Sequence, residues 1–342
     1  MKKRGMKMLA TAGILCSLAL AGCGNKEATN NEDKASAKPK ESNVLTVYSA
    51  GPEGLATKVQ EAFEAKTGLK VEMFQGTTGK ILSRMEAEKN NPVADVVVLA
   101  SVASMEGLKE AGELQPYKEA KNGDKINSDW SDPDGNYYGY SASALGIAYN
   151  TKNVKEAPAE WADLAKANWK DKINIPDPSL SGSAVDFIFG YANADKSAWD
   201  TIKAWKTNGL QVSGANKEAL DGVITGAKDA TISGVDYMAY KAKADGEPVE
   251  IVYPKSGTVV SPRAVGVLKE AKNVDGAKQY VDFLLSDEGQ KLVTGAYLLP
   301  GNKDIPVKDR AALADIPQLK VSWKGAEKQQ VEILNQFNDI FR

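Results

Sequence analysis

Small hydroxyl residues and glycines stand at four places where a predicted strand gives way to a predicted helix. They are Ser49, Thr77 with Thr78, Ser101, and Ser181 with Gly182 and Ser183. The first N–H groups of a helix lack partners within it, so together with hydroxyl donors they can bind an anion without a formal positive charge. If these corners face one cleft, they would suit a phosphonate, a phosphate ester or a carboxylate. Each could equally be only a cap or a turn, because Ser, Thr and Gly are common there.

An aspartate and two tyrosines complete the set of candidate ligand contacts. Asp236 and Tyr237 follow a predicted strand at 230–234, and Tyr253 ends another at 249–253. A carboxylate in a cleft can accept hydrogen bonds from an ammonium group or from sugar hydroxyls. Asp236 could instead be the N-cap of the helix that follows.

The residue types that are absent exclude several kinds of catalysis. The chain has no histidine and two cysteines, Cys16 and Cys23, which rules out Ser-His-Asp and Cys-His catalysis and His-ligated zinc or haem. It contains no P-loop and no dinucleotide-binding glycine motif. The formal net charge of −2 is unlike that of a basic nucleic-acid-binding protein. We therefore expect a protein that is not an enzyme, with no cofactor, no bound metal and no nucleic-acid partner.

The N-terminus resembles the signal of a bacterial lipoprotein. The basic residues Lys2, Lys3, Arg4 and Lys7 precede an apolar run at 8–21, which leads into Leu20-Ala21-Gly22-Cys23. The run is too short for the ~20 residues of a membrane-spanning helix. We expect a signal peptide at 1–22, a lipid on Cys23 and a flexible polar tether at 23–43. An ordinary signal peptide with a cysteine there by chance is the alternative.

The elements that must position the candidate residues alternate between strand and helix. Strands are predicted at 44–48, 69–74 and 95–100, each followed by a helical pattern, which indicates an α/β protein with a largely parallel sheet. Further on, Ser183 and Asp186 have the spacing of a capping box, which predicts a helix capped by Ser183. A helix is also predicted at 161–167. Tryptophans at helical positions are expected to pack against other side chains rather than to bind ligand: Trp161, Trp169, Trp199 and Trp205.

The domain organisation follows from a strand that returns to the first part of the chain. Residues 259–268 have the pattern of such a strand. We therefore predict two lobes, the first formed by residues 44–140 plus 260–342 and the second by residues 141–259. The two chain crossings, near Tyr140 and near Thr258, would form a hinge between them.

Several short stretches carry a family resemblance. They are LTVYSA at 45–50, TGLKV at 67–71, NPVADV at 91–96, GIAYNT at 146–151, PDP at 176–178 with SGS at 181–183, and FLLSDEGQ at 283–290. Together, in this order, they resemble bacterial extracellular solute-binding proteins of ABC importers, in the group that includes ferric-iron, sugar-phosphate and 2-aminoethylphosphonate binders. The resemblance implies a type 2 periplasmic-binding fold whose two lobes close on a ligand and deliver it to a membrane permease and its ATPase.

The resemblance leaves more than one ligand open. In ferric binders of this group, adjacent tyrosines coordinate iron at the place held here by Asp236 and Tyr237, so one of the pair is replaced. With anion-binding corners opposite an aspartate, we favour a small anion such as 2-aminoethylphosphonate or a sugar phosphate. The alternative is ferric iron or an iron complex, with Asp236 and Tyr237 as oxygen ligands.

The expected partners follow from the same resemblance. We predict a monomer that works with an ABC permease and ATPase and meets the membrane only through its lipid. It would stand on the extracellular face of the cell membrane, or on the periplasmic side in a two-membrane cell. An extracellular enzyme or a sensor built on the same fold are the alternatives of another class.

Overall fold

The computed structural model describes residues 43–323 and 325–341. The predicted signal peptide, the predicted lipidation site Cys23 and all of the predicted tether except residue 43 lie outside the described residues. Within the described part of the chain, no helix is both long enough and apolar enough to cross a membrane.

Strands and helices alternate through most of this region. The strands are β1 Val44–Ser49, β2 Lys70–Gln75, β3 Val96–Leu99, β4 Leu114–Gln115, β5 Tyr138–Asn150, β6 Ile173–Pro176, β7 Gln211–Ser213, β8 Ala230–Val235, β9 Val249–Val252, β10 Val260–Leu268 and β11 Leu299–Pro300. The helices are α1 Glu53–Thr67, α2 Thr78–Ala87, α3 Val102–Glu110, α4 Gly182–Ala194, α5 Ala198–Thr207, α6 Asn216–Ile224, α7 Asp236–Ala244, α8 Val274–Leu285, α9 Asp287–Gly295 and α10 Ala326–Phe341.

The sheet has parallel strands at its two ends and antiparallel strands in its middle. Its order is β2-β1-β3-β10-β5-β8-β6-β7. β1 is parallel to β2 and β3, and β6 is parallel to β7 and β8, whereas β10 pairs antiparallel with both β3 and β5. The predicted α/β class and the returning strand are confirmed. The sheet is more mixed than predicted, because β10 and β5 run against their neighbours.

The long strand β5 connects the two ends of the sheet. Its first half pairs with β10, and its second half pairs with β8 and β9. Residues 141–144 alternate Ser and Ala, so their side chains alternate between the two faces. Ser143 lies opposite Ser261 and Ser141 lies opposite Arg263. Directly opposed residues share a face, so one face of these two buried strands carries three hydroxyls and a guanidinium.

Aromatic packing supports the elements around α4. Trp161 and Trp205 are buried against Phe187 and Tyr191 of α4, which confirms the packing role expected for these tryptophans. The helix predicted at 161–167 is a 3-10 helix at Trp161–Ala165. The C-terminal helix α10 packs on α3, α4 and α5. The lobe boundaries stay a prediction.

Candidate functional site

Three of the predicted hydroxyl corners cap helices. Thr77 caps α2, Ser101 caps α3 and Ser181 caps α4, each by accepting a hydrogen bond from the backbone N–H three residues on. A hydroxyl at this position satisfies one of the free N–H groups that begin a helix. The predicted cap at Ser183 is wrong by two residues, because Ser181 performs it. The Ser183 hydroxyl instead accepts from Nδ2 of Asn216, at 3.0 Å.

The N-termini of α2, α3 and α4 meet at Gly182. A Cβ atom on Gly182 would lie 3.3 Å from Oγ1 of Thr78 and 3.7 Å from Cβ of Ser101. Thr78 and Ser101 are both buried. The structure therefore brings together three of the predicted site residues, and a Cβ at position 182 would be in tight contact with Thr78.

A buried carboxylate lies one turn into α4. Asp186 accepts hydrogen bonds from Oγ of Ser101 at 2.8 Å, from Oγ of Ser261 at 2.6 Å and from Nε2 of Gln330 at 2.7 Å. Burial raises its pKa to about 6, although these three donors and the positive charge of Arg263 act in the opposite direction. The predicted capping box is therefore wrong, since Asp186 ties α4 to α3, β10 and α10 instead.

Arg263 is a buried cation beside this carboxylate. It is 4% exposed, and its Nη1 donates to Oγ of Ser143 at 2.7 Å. Its guanidinium carbon lies 5.3 Å from the centre of the Tyr237 ring. Among the described residues its Nε–H has no hydrogen-bond partner. Tyr237 is thus placed beside a full positive charge.

Asp236 begins α7 and is completely buried. Its oxygens accept from the backbone N–H of Tyr237 at 2.7 Å, from the Tyr253 hydroxyl at 3.1 Å and from Nη2 of Arg310 at 2.6 Å. Burial raises its pKa, and the charge of Arg310 lowers it in part. Val235, not Asp236, occupies the N-cap position. The predicted neighbours Asp236, Tyr237 and Tyr253 therefore form one cluster, organised by an ion pair.

The hydroxyls of Ser49 and Tyr140 both lie beside Gly51. The Ser49 hydroxyl accepts from the backbone N–H of Gly51 at 3.1 Å. The hydroxyl of Tyr140 lies 3.1 Å from where a Cβ on Gly51 would be. Burial raises the pKa of Tyr140, while Arg263 lowers it. Ser49 therefore lies near a phenol whose pKa the charge of Arg263 influences.

The backbone has an unusual conformation at Ser233, three residues before Asp236. Ser233 has a φ of 58°, in the left-handed region that non-glycine residues rarely adopt. Its buried hydroxyl has no partner among the residues that the structure describes. Strain of this kind is concentrated at functional sites. No cluster of three or more His, Cys, Asp or Glu side chains suited to a metal ion occurs in the described region.

Sequence analysis missed several residues of this site: Ser141, Ser143, Asp186, Asn216, Ser261, Arg263 and Arg310. A signal for four of them is present. Serines and an arginine on alternate positions of strands that are otherwise apolar predict a polar face in a buried place, which is unusual without a ligand or partner. The other three carry no local signal.

The fold, with the helix N-termini gathered beside the central strands, is that of a binding protein for small solutes. The chain belongs to the bacterial extracellular solute-binding protein family, whose family model matches residues 91–329. Iron uptake protein A1 of Synechocystis is 27% identical, over 89% of this chain and 84% of its own. A periplasmic protein of Salmonella typhimurium named for 2-aminoethylphosphonate binding is 26% identical, over 84% of this chain and 90% of its own.

A solved structure gives the same result for the fold. The periplasmic binding protein AfuA of Actinobacillus pleuropneumoniae, solved with fructose-6-phosphate bound, superposes with a TM-score of 0.80 at 26% identity, over 87% of this chain and 98% of its own. The predicted type 2 periplasmic-binding fold is confirmed. The chain is a substrate-binding protein of an ABC importer, and its relatives are extracellular or periplasmic binding proteins rather than enzymes.

Proposed function

We propose that this protein captures a small organic anion, a phosphonate or a phosphate ester such as 2-aminoethylphosphonate or a sugar phosphate. The observation that carries the proposal is the meeting of three helix N-termini at Gly182, with the Thr78 hydroxyl and the Ser101 side chain beside it. Helix N-termini bind anions through free N–H groups and the helix dipole. The ligand would contact Ser49, Thr77, Thr78, Ser101, Ser181, Gly182, Ser183, Asp236, Tyr237 and Tyr253.

Ferric iron is the second candidate, because one relative is an iron uptake protein. Two observations favour the anion over ferric iron. The carboxylate of Asp236 already pairs with Arg310 at 2.6 Å, so it has little charge left for a metal. Burial raises the pKa of Tyr237, which opposes the phenolate that Fe(III) requires.

The anchoring and closure follow the same proposal. A lipid on Cys23 and a polar tether would keep a monomeric receptor near its permease and ATPase, on the outer face of the membrane. If the two lobes close, one ligand can contact the N-termini of α2 and α3 in the first lobe and of α4 in the second at once. Mass spectrometry of the protein from its native membrane would detect a diacylated Cys23 as the mature first residue.

A substitution at Gly182 tests the anion proposal. A valine there would push into Thr78 and Ser101, so we expect Gly182→Val to lose at least 10-fold in affinity for 2-aminoethylphosphonate or fructose 6-phosphate, whichever the wild type binds. Isothermal titration calorimetry measures the affinity. Gly295→Val is the matched control, because a Cβ on Gly295 at the exposed end of α9 meets no atom within 4 Å.

Two results would contradict the proposal. One is a wild-type protein that binds neither compound, nor any other phosphonate or phosphate ester in a panel. The other is a ferric-loaded protein that turns the colour of an iron–tyrosinate complex, which would support the iron alternative.

A further inference from the structure

The described structure contains two buried arginines near the candidate site, and their surroundings differ. Arg310 has no exposed side-chain surface and pairs with Asp236, and it also donates to the carbonyl oxygens of Tyr297 and Ala311. Arg263 is almost as buried, yet no described carboxylate forms an ion pair with it, and its one hydrogen bond within the described residues goes to Ser143. Buried charges are normally paired. Arg263 therefore lacks a counterion that Arg310 has.

The hydrogen bond to Ser143 leaves a defined edge of the guanidinium free. Nη1 is engaged, while Nε–H on the other edge is buried without a partner among the described residues. The adjacent Nη2 makes no hydrogen bond to a described residue, so the Nε–Nη2 edge is available. Two parallel N–H groups of this kind match two oxygens of a phosphate or carboxylate. The ring of Tyr237 lies against the guanidinium at 5.3 Å, which helps to fix its plane.

The charged groups around Arg263 do not replace the missing counterion. The charge of Arg263 lowers the pKa of Asp186 in part, but the two groups do not come within ion-pair distance. Both Asp186 oxygens accept hydrogen bonds from Ser101, Ser261 and Gln330. The phenols of Tyr140 and Tyr237 are the other titratable neighbours. Since burial keeps both phenols neutral, they supply no negative charge.

We infer that Arg263 is the residue that selects the charge of the ligand, by binding its phosphoryl or carboxylate oxygens through the free Nε–Nη2 edge. The inference rests on the proposed capture of an anion, and it adds a full positive charge to the neutral donors at the helix N-termini. The same charge repels a bare ferric ion beside Tyr237. The site would therefore reject neutral sugars as well as free metal cations.

Two substitutions at Arg263 test this in the intact protein. By isothermal titration with 2-aminoethylphosphonate and fructose 6-phosphate, we expect Arg263→Gln to lose at least 100-fold in affinity. Arg263→Lys keeps the positive charge but lacks the two parallel N–H donors of the guanidinium, and we expect its affinity to fall by about 10-fold. Lys58→Gln removes one positive charge from the exposed face of α1 and is the control, with unchanged affinity.

A second measurement needs no knowledge of the natural ligand. Inorganic phosphate at 50 mM should raise the melting temperature of the wild type but not that of Arg263→Gln, with chloride at equal ionic strength as reference. Equal stabilisation of both proteins by phosphate, or none of either, overturns the inference. If phosphate acts through Arg263 but no organic anion binds, the proposed ligand class fails and the anion site stands.

Discussion

Asp236→Asn is expected to lower the free energy of unfolding by about 3 to 5 kcal/mol. The substitution leaves the guanidinium of Arg310 buried without its partner, and this group cannot become neutral by losing a proton. Asp236 and Arg310 are both fully buried, with 2.6 Å between Oδ2 and Nη2. Urea unfolding at pH 7.5, followed by tryptophan fluorescence, measures the change.

The reverse substitution should be milder and should depend on pH. In Arg310→Met the abandoned group is a carboxyl whose pKa burial already raises, so it can take up a proton. A carboxyl with a pKa above its unfolded value destabilises the fold where it is ionised, and this penalty disappears as the pH falls through the folded pKa. We therefore expect Arg310→Met to regain stability as the pH is lowered from 7.5, whereas Asp236→Asn does not.

The double variant completes the comparison. Asp236→Asn with Arg310→Met removes both charges, and its loss of stability should be smaller than the sum of the two single losses. Additive losses would mean that the two groups are not coupled. These variants also distinguish two roles of Asp236, as a ligand contact and as the partner of Arg310. Loss of a ligand contact lowers the affinity of a protein that remains folded, whereas loss of the ion pair lowers the free energy of unfolding.

Local chemistry made part of the site predictable. The caps at Thr77, Ser101 and Ser181 depend on hydrogen bonds within three residues, and the alternation of strand and helix depends on short-range periodicity. The capping signal at Ser183 was misread because Ser181 and Ser183 both precede the same apolar run. Which of the two serines is the N-cap depends on the backbone conformation before α4, which the sequence pattern does not specify.

The remaining residues of the site depend on contacts between distant parts of the chain. Ser143 lies 120 residues before its partner Arg263, and Ser261 lies 75 residues after its partner Asp186. No periodicity links such positions. The same holds for the antiparallel pairing of β10 with β5, since hydrophobic patterns identify strands but not their neighbours. The sequence therefore predicted the hydroxyl corners, and the charged centre between them required the structure.

Asp186 joins four elements through a charge that the protein interior disfavours. Its carboxylate is fully buried, and the helix α4, the cap of α3, β10 and α10 all meet at it. Burial raises its pKa to about 6, from the usual 3.8 of an aspartate. The folded state therefore holds the proton more tightly than the unfolded chain does. The ionised carboxylate therefore lowers the free energy of unfolding, and this reduction is absent below about pH 4 and complete above about pH 6.

Asp186→Asn is therefore expected to stabilise the protein at pH 7.5 by up to about 3 kcal/mol, the value of a shift of roughly two pKa units. The asparagine oxygen can keep the hydrogen bond from Ser261, while its NH2 group donates to the Ser101 hydroxyl and to the oxygen of a turned Gln330 amide. The advantage over the wild type should shrink as the pH falls from 7 to 4.5, which urea unfolding at several pH values measures. Asp200→Asn, at a side chain that is 86% exposed, is the control and should follow the wild type. A stability difference that stays constant across this range, or a variant less stable at every pH, would show that the hydrogen bonds to the ionised carboxylate outweigh the cost of burying it.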